Sequence, residues 1–338
     1  MVPAHRSCHP EAVGCTAVSR WARLDRMRIL VVGAGSTGGY LGGRLAQAGR
    51  DVTFLVRPAR AARLAASGLQ IISEHGNLTL RPKLLTADEL STHFDLILLS
   101  VKAFALDTAI GDFAPAVGPD TLILPVLNGL RHIDVLTERF GSGAVLGGVC
   151  VVSTTLDEHG SVVQLTGMQE LTYGALEESS RQQERLAAVD EELQGAMFDA
   201  RSTDSIVPAM WQKWMMLASA GVMNVLMRGS IGEIVDAPEG LDFAQRLGRE
   251  TAAVAEAAGH PLSDAGRQFI SQMLTTSGSA FTTSMYRDLI AGRRTEFDAI
   301  VADLARRATE FGVATPLVQL ALTNLWVYEN RRAAAPPS

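Results

Sequence analysis

A short apolar run followed by three closely spaced glycines constrains this chain more than any other feature. Residues 28–49 read Arg-Ile-Leu-Val-Val-Gly-Ala-Gly-Ser-Thr-Gly-Gly-Tyr-Leu-Gly-Gly-Arg-Leu-Ala-Gln-Ala-Gly, which places Gly33, Gly35 and Gly38 in a GxGxxG spacing. The first glycine permits a sharp turn out of a strand, the second lets a pyrophosphate approach the backbone, and the third lets a helix pack close to the sheet. Ser36 and Thr37 then open a helix whose free N–H groups favour anions. The stretch predicts a strand–turn–helix unit that binds a dinucleotide.

The end of the second strand indicates which dinucleotide to expect. An NAD enzyme usually places an Asp or Glu about 20 residues past the glycines, where it binds the ribose 2′-hydroxyl. Here the strand at residues 51–56 ends at Arg57, and no acidic residue follows before Glu74. A guanidinium matches a 2′-phosphate in charge and in hydrogen-bonding geometry, so Arg57 predicts NADP(H). Arg60 and Arg63 are equally consistent with a solvated helix face.

Composition is typical of a soluble globular protein long enough for two domains. The chain has 338 residues, of which 47% are hydrophobic and 20% charged, and its formal net charge is −6. This balance gives no indication of a nucleic-acid or anionic-membrane partner. The three cysteines, Cys8, Cys15 and Cys150, lack metal-ligand spacing, so neither disulfides nor a metal site is expected and a reducing cytoplasm fits. Residues 1–26 have no sustained apolar core, and we interpret them as disordered or as a misassigned start.

Apolar patterning divides the rest of the chain into two parts. The near-continuous apolar runs at 94–101 and 121–127 are typical of strands covered on both faces, so residues 27–203 are predicted to form a doubly wound α/β domain of the Rossmann type. Strands at 144–155, 162–165 and 170–174 are expected to extend its sheet with an antiparallel edge. Strand signals then vanish, and residues 204–332 are predicted to form an all-α domain. Its helices are expected at residues 208–227, 239–258, 263–275, 279–291, 295–311 and 316–332.

Polar residues directly after two strands mark the expected ligand-binding edge of the sheet. Lys102 follows the strand that ends Leu-Leu-Ser-Val, and Asn128 follows the next strand and precedes Gly129. Ligands of open α/β sheets bind outside the carboxyl ends of the strands, so both side chains are candidates for the cofactor side. The alternatives are an ordinary surface lysine and a turn-forming Asn-Gly pair.

Two charged residues of the helical part are candidates for chemistry. Lys213 is the only charge in residues 209–227, whose internal polar residues favour a buried core helix over a membrane span. Beside Trp211 and Trp214, this lysine either snorkels to the surface or is kept half-buried for a purpose. Glu296 lies at the edge of an apolar helix face, where a first-turn carboxylate is also favoured by the helix dipole alone.

The order of these motifs resembles that of the ketopantoate reductases (2-dehydropantoate 2-reductases). GxGxxG, Ser-Val-Lys-Ala, Asn-Gly, Trp-x-Lys, Ser-Met-x-x-Asp and Thr-Glu-x-Asp follow one another from Met27 to about residue 325. The resemblance implies a Rossmann domain and a helical C-terminal domain of the 6-phosphogluconate dehydrogenase type. It also implies that the two domains enclose a site where NADPH reduces ketopantoate to D-pantoate, a step of pantothenate biosynthesis.

The resemblance assigns a role to each matching residue. Lys213 resembles the general acid that protonates the carbonyl oxygen, and Glu296 resembles the carboxylate that supports the site and binds the hydroxyl side of substrate or cofactor. Lys102 and Asn128 resemble the polar contacts near the nicotinamide and the substrate, and Ser284 resembles the hydroxyl that binds the substrate carboxylate. The chemistry is coherent, because hydride addition builds an alkoxide that a nearby ammonium both stabilises and protonates.

One stretch of the chain departs from the family pattern. Typical members carry Asn four and eight residues after the catalytic lysine, where this chain has Leu217 and Gly221. Asn224 is the nearest amide and therefore the candidate replacement as a substrate contact. The expected substrate is ketopantoate or a different branched 2-oxo acid, and apolar helices of the second domain favour a homodimer. A non-catalytic NADPH-binding protein is the alternative of another class, against which the retained Lys213 and Glu296 argue.

Overall fold

The computed structural model describes residues 26–177 and 180–335. The interpretation of residues 1–26 therefore falls outside the described residues, apart from position 26. The strands are β1 (Arg28–Val32), β2 (Asp51–Leu55), β3 (Leu69–Ile72), β4 (Leu78–Leu80), β5 (Lys83–Leu85), β6 (Phe94–Leu99), β7 (Val117–Pro125), β8 (Leu146–Leu156), β9 (Val162–Ala175) and β10 (Asp199–Ser202). The α-helices are α1 (Ser36–Gln47), α2 (Pro58–Ser67), α3 (Leu106–Phe113), α4 (Arg131–Phe140), α5 (Ser180–Leu193), α6 (Ile206–Met227), α7 (Ile231–Val235), α8 (Gly240–Ala257), α9 (Asp264–Thr275), α10 (Ser284–Ile290), α11 (Asp303–Glu310) and α12 (Pro316–Ala334).

Five parallel strands form the sheet that carries the glycine turn, in the order β5-β2-β1-β6-β7. Successive residues of β1 enter different cores: Ile29 and Val31 pack with α1, whereas Leu30 and Val32 pack with α3 and α4. Burial on both faces explains why these strands are apolar almost throughout. The strand order reverses between β1 and β6, which is where a ligand of such a sheet binds. The predicted Rossmann-type domain is confirmed.

The prediction that residues 144–174 extend this sheet is wrong. β8 and β9 pair antiparallel and belong to a second sheet with β10, β3 and β4. Within the described ranges, a bridge between Ile123 and Val145 is what joins the two sheets. The apolar side of the second sheet, including Leu171 and Tyr173, packs into the same core as α1. These strands therefore cover a helix instead of lengthening a sheet edge, and the two segments expected at 162–165 and 170–174 form one long strand.

From Ile206 to Ala335 the described chain contains helices and no strand, as predicted. The central helix is α6, which is buried along most of its length and shares one core with α8, α9, α10 and α12. None of the helices in the described ranges combines the length and hydropathy of a membrane span.

Two helix starts in this domain differ from the prediction. The helix expected at 279–291 begins at Ser284, because Thr283 caps it by accepting a hydrogen bond from the backbone N–H of Tyr286. The residues before the cap form a turn and an irregular segment, in which the carbonyl of Ser279 accepts a hydrogen bond from the N–H of Gly232 in α7. The helix expected at 295–311 begins later, as a π-helical turn at Asp298–Ala302 that leads into α11.

Candidate active site

The three glycines after β1 each meet a different steric demand. Gly33 has φ +95°, and a Cβ there would lie 2.7 Å from the carbonyl oxygen of Ser100. A Cβ on Gly38 would collide with the carbonyl oxygen of Gly33, so the helix can approach the strand this closely only without one. At Gly35 a Cβ would meet no other atom of the described chain within 4 Å. The loop therefore packs tightly against the protein at Gly33 and Gly38. At Gly35, the position that a phosphate approaches in such loops, it leaves free space.

The start of α1 is suited to an anion. Gly35 precedes the helix without a side-chain cap, and the first turn, which begins with Ser36 and Thr37, contains no acidic residue. The backbone N–H groups of this turn have no partner within the helix, and the positive end of the helix dipole lies beside them. The loop and the helix together fit the pyrophosphate of a dinucleotide.

The three arginines after β2 fall into different environments. Arg57 lies two residues past the end of β2, is exposed, and its side chain makes no hydrogen bond or ion pair with the described residues. Arg60 instead donates from Nε to the carbonyl oxygen of Ala34 at 3.0 Å and from Nη1 to that of Gly160 at 3.2 Å. The solvated-face interpretation is therefore wrong for Arg60, which ties α2 to the glycine loop. Arg63 is exposed beside Gly160.

Lys102 and Glu296, which lie in different domains, contact each other directly. Lys102 Nζ is 2.9 Å from Glu296 Oε2 and 3.2 Å from Asp288 Oδ2. The other carboxylate oxygen of Glu296 accepts a hydrogen bond from the N–H of Ala103 at 2.9 Å. Burial disfavours the charge of Lys102, but the two carboxylates raise its pKa above the ordinary value. This ion cluster joins the end of β6 to the helical domain with its lysine charged.

Glu296 is held in place from within its own domain. The preceding residue, Thr295, is fully buried and donates from both its backbone N–H and its hydroxyl to Glu329 Oε1, at 2.8 and 2.7 Å. Arg332 pairs with the second oxygen of Glu329 at 2.7 Å. Glu296 is itself buried, so its carboxylate has a fixed position at the domain junction.

The Asn128-Gly129 turn after β7 lies against the π-helical turn of the helical domain. Gly129 has φ +78°, and a Cβ there would collide with the carbonyl oxygen of Ala299. Asn128 is half-buried beside this contact. The turn therefore places Asn128 at the carboxyl edge of the sheet and at the domain junction at once.

We expect Gly129→Ala to destabilise the protein by about 2–4 kcal/mol, because it adds a backbone collision to the strain of a positive φ. Gly259→Ala is the matched control, since Gly259 has φ +82° and open space around it, and should lose only about 1–2 kcal/mol. Denaturant unfolding of both variants measures the difference. Equal losses would show that the approach to Ala299 contributes nothing.

Lys213 faces a cleft between the two domains. The cleft is lined by Leu127, Gly129, Gly148, Val149, Met210, Lys213, Trp214 and Leu217. Trp214 is fixed by a hydrogen bond from Nε1 to the carbonyl oxygen of Ile300 at 3.0 Å. Burial lowers the pKa of Lys213, and the nearby Cys150 and Glu296 oppose that shift. Lys213 is thus a half-buried amine with a lowered pKa in a cleft, which makes it a candidate acid–base group.

The helix α10 meets α6 about two turns beyond Lys213. Leu217 lines the cleft, and the Cε methyl of Met285 lies 2.7 Å from where a Cβ on Gly221 would stand. Ser284 opens α10 beside this contact, and its half-exposed hydroxyl has no hydrogen-bond partner among the described residues. The wall of the site on this side is therefore apolar, with one free hydroxyl at its edge.

Asn224 does not provide the substrate contact expected of it. Its side chain is fully buried, its Nδ2 donates to the carbonyl oxygen of Gly229 at 2.9 Å, and its Oδ1 accepts from the N–H of Thr283 at 2.9 Å. The Nδ2 bond thus fixes the turn that follows α6, and the Oδ1 bond holds α6 to the residue that caps α10. Asn224 therefore has a structural role and is no longer a candidate substrate contact.

Sequence reasoning missed two members of the site. Asp288 pairs with both Lys102 and Arg293. It belongs to the Ser-Met-x-x-Asp motif, so the sequence marked this residue but did not indicate which residues it pairs with. Arg60 carried no signal beyond its spacing from Arg57.

In the described ranges no group of three or more His, Cys, Asp or Glu residues is arranged to hold a metal ion.

The parallel sheet with its glycine turn, the all-α domain and the half-buried lysine at their junction define the class, a nicotinamide-dependent oxidoreductase. The family model described as ketopantoate reductase PanE/ApbA matches residues 29–178, and the model of its C-terminal domain matches residues 205–329. The chain belongs to the ketopantoate reductase family.

Individual relatives cover nearly the whole of this chain. It is 33% identical to the uncharacterized oxidoreductase YkpB of Bacillus subtilis. The 303 aligned residues cover 90% of this chain and 99% of that relative. It is 28% identical to the 2-dehydropantoate 2-reductase of Halobacterium salinarum, over 87% of this chain and 96% of that relative. Among solved structures, 2-dehydropantoate 2-reductase from Geobacter metallireducens superposes with a TM-score of 0.79 at 28% identity, over 89% of this chain and 99% of that one. D-mandelate dehydrogenase with NADH and anilino(oxo)acetate shares the fold, with a TM-score of 0.81 at 22% identity, over 91% of this chain and 100% of that one.

Proposed function

We propose that this protein uses NADPH to reduce a 2-oxo acid to a 2-hydroxy acid, with 2-dehydropantoate as the first candidate substrate and D-pantoate as its product. The observation that supports this most is the placement of Lys213 in the cleft between the carboxyl ends of the parallel strands and the helical domain. In this proposal residues 27–203 bind the cofactor, and residues 204–332 complete the substrate site and form the surface of a homodimer. The few cysteines fit a cytoplasmic enzyme of pantothenate biosynthesis.

Lys213 acts as the general acid. NADPH, when bound, would supply the hydride that the carbonyl carbon of the substrate accepts. As the carbonyl oxygen gains negative charge, Lys213 Nζ donates a proton to it, which leaves a neutral amine and the hydroxyl of the product. Burial lowers the pKa of Lys213 and so makes its ammonium a stronger acid than an exposed lysine.

The remaining residues bind and orient. Glu296 holds Lys102 at the domain junction, and Lys102 and Asn128 face the nicotinamide and the substrate. Ser284 binds the substrate carboxylate with its free hydroxyl. Arg57 would pair with the 2′-phosphate of the cofactor, and its pyrophosphate would be held by the loop and helix start formed by Gly33, Gly35, Ser36, Thr37 and Gly38.

The apolar wall at Leu217 and Gly221 bears on which 2-oxo acid is preferred. A site built to hydrogen-bond a substrate hydroxyl rejects analogues without it, whereas an apolar wall discriminates far less. Leu217 offers no hydrogen bond, and the space over Gly221 is filled by Met285. We therefore expect 3,3-dimethyl-2-oxobutanoate, which lacks the hydroxyl of ketopantoate, to be reduced about as well as ketopantoate.

Replacing Leu217 and Gly221 by Asn together with Met285→Ala should shift the preference toward ketopantoate. The Met285 change is needed because the methyl group over Gly221 occupies the space of the new side chain. We expect a change of about 1–3 kcal/mol in the ratio of kcat/KM for the two acids, if each amide finds its partner. Met285→Ala alone is the control and should leave the ratio near its original value. A wild-type protein that strongly prefers ketopantoate would contradict the account of this wall.

A panel of branched 2-oxo acids tests the proposed function. Purified protein with NADPH is offered each acid, and the loss of nicotinamide absorbance is followed. Reduction of at least one acid at a rate proportional to enzyme concentration is the expected result. NADPH binding without oxidation by any acid would instead indicate a non-catalytic binding protein.

A further inference from the structure

The first turn of α4 packs against the face of α6 that carries Lys213. Gly129, just before α4, lines the same cleft as Lys213. Leu130 belongs to the core that includes Met210 and Trp214, and Ile133 packs against that core. A residue of this turn that points inward therefore lies close to Lys213.

An arginine also joins α4 to the helical domain at the contact between α4 and α6. Arg307 of α11 pairs with Asp134 of α4 and with Asp303 of its own helix. Its guanidinium also lies 5.8 and 5.5 Å from the ring centres of Trp211 and Trp214. The position of α4 relative to the lysine-bearing face is therefore fixed by charge as well as by apolar packing.

His132 is the polar residue buried at this contact. Its side chain is 3% exposed, and in the described part of the chain neither Nδ1 nor Nε2 has a hydrogen-bond partner. Buried polar side chains nearly always have partners, because an unsatisfied one costs about 1–3 kcal/mol. The proposed reaction does not use this imidazole, so its burial without a partner points to an interaction made in the working enzyme.

The charge state of His132 follows from its surroundings. Burial, and then the nearby charge of Lys213, lower its pKa to about 3. The ring is therefore neutral at any pH at which the protein works, with one nitrogen that donates and one that accepts.

The two groups whose charge acts on Lys213, Glu296 and Cys150, do not supply a free acceptor of this kind. Glu296 is bonded to Lys102 and to the N–H of Ala103. Cys150 on β8 is a buried free thiol whose pKa is raised by burial, so it stays protonated and is a weak acceptor. The acceptor nitrogen of His132 has no hydrogen-bond partner among the described residues.

We propose that His132 is a positioning residue whose acceptor nitrogen takes a hydrogen bond from the Nζ ammonium of Lys213 and aims it into the cleft. The inference rests on the proposed role of Lys213 as the general acid. A neutral acceptor suits this task, because it stabilises the ammonium without placing another negative charge beside an anionic substrate.

His132 also determines how far into the alkaline range the enzyme works. Reduction needs the ammonium form, so kcat falls as the pH rises through the pKa of Lys213. Burial lowers that pKa, and a hydrogen bond to the charged form opposes the effect of burial. Removing the acceptor should therefore move the alkaline limb of the pH profile to lower pH.

The first test compares the pH dependence of kcat in His132→Leu and His132→Gln. The leucine variant should show its alkaline limb about one to two pH units lower, and glutamine, whose amide oxygen accepts a hydrogen bond, should restore most of that difference. Leu136→Ala removes a buried side chain from the same helix and should lower the melting temperature without moving the limb. A folded His132→Leu enzyme whose limb matches the wild type would overturn the proposal.

The second test does not depend on activity or on a folded leucine variant. Histidine ring nitrogens are labelled with ¹⁵N in the wild type and in Lys213→Met, and the His132 signals are assigned as those missing from His132→Gln. The acceptor nitrogen should shift between the two proteins and should titrate in the wild type with Lys213. Identical His132 signals in both would overturn the proposal. An enzyme that reduces no 2-oxo acid but shows the shift would contradict the proposed function alone.

Discussion

Lys213→Ala is expected to lower kcat by roughly 10²–10⁴-fold while leaving NADPH binding nearly intact. The side chain lies in the cleft and outside the glycine loop, so its loss removes the proposed proton donor and no contact to the cofactor phosphates. The measurement is steady-state kinetics with the best 2-oxo acid, together with NADPH titration of the free enzyme. In the wild type kcat should also fall at high pH, starting below the range of an ordinary lysine, because burial lowers the pKa of Lys213.

Lys83→Ala is the matched control for this loss. Lys83 lies on β5, its side chain is 70% exposed, and it pairs with Asp51 at the surface. Its removal should leave kcat within about twofold, since exposed ion pairs contribute little. Near-normal turnover in Lys213→Ala would show that the lysine is not the general acid.

Arg57→Asp is expected to reverse the cofactor preference. The change removes the guanidinium that we propose pairs with the 2′-phosphate, and it places a carboxylate where NAD enzymes bind the ribose hydroxyl. We expect kcat/KM for NADPH to fall on the order of a hundredfold, the size of losing a charge-assisted hydrogen bond, while NADH becomes the better cofactor. Both cofactors are measured with the same 2-oxo acid.

Arg63→Asp provides the comparison for Arg57. Both arginines are exposed, but Arg63 lies beside Gly160 in the turn between β8 and β9 and not at the strand end. Its substitution should change the NADPH to NADH ratio by far less. Equal losses with both cofactors in Arg57→Asp would mean that Arg57 has a structural role.

The parts of the fold that local sequence determines were predictable. The strand, the glycine turn and the start of α1 depend on neighbouring residues and on φ values that only glycine adopts readily, as at Gly33. The helical domain followed from apolar periodicity. The second sheet could not be predicted, because an apolar strand gives no indication of whether it extends the edge of a sheet or covers a helix. In this protein β8 and β9 cover α1.

In the candidate site, too, the sequence indicated which residues matter but not which residues they contact. Lys102 and Glu296 were singled out separately, yet their ion pair spans 194 residues of sequence and could not be read from any local pattern. Asn224 had the right chemistry for a substrate contact, but its amide is taken up by the backbone of Gly229 and Thr283. His132 gave no signal, because its environment is built from α4 and α6, which are distant in sequence.

Single-turnover mixing of the NADPH-bound protein with a branched 2-oxo acid tests the central claim most directly. We expect rapid loss of nicotinamide absorbance in the wild type, one equivalent of 2-hydroxy acid formed per NADPH consumed, and a rate slowed roughly 10²–10⁴-fold in Lys213→Ala. Loss of absorbance at the same rate in Lys213→Ala, or no loss with any 2-oxo acid in the wild type, would contradict it.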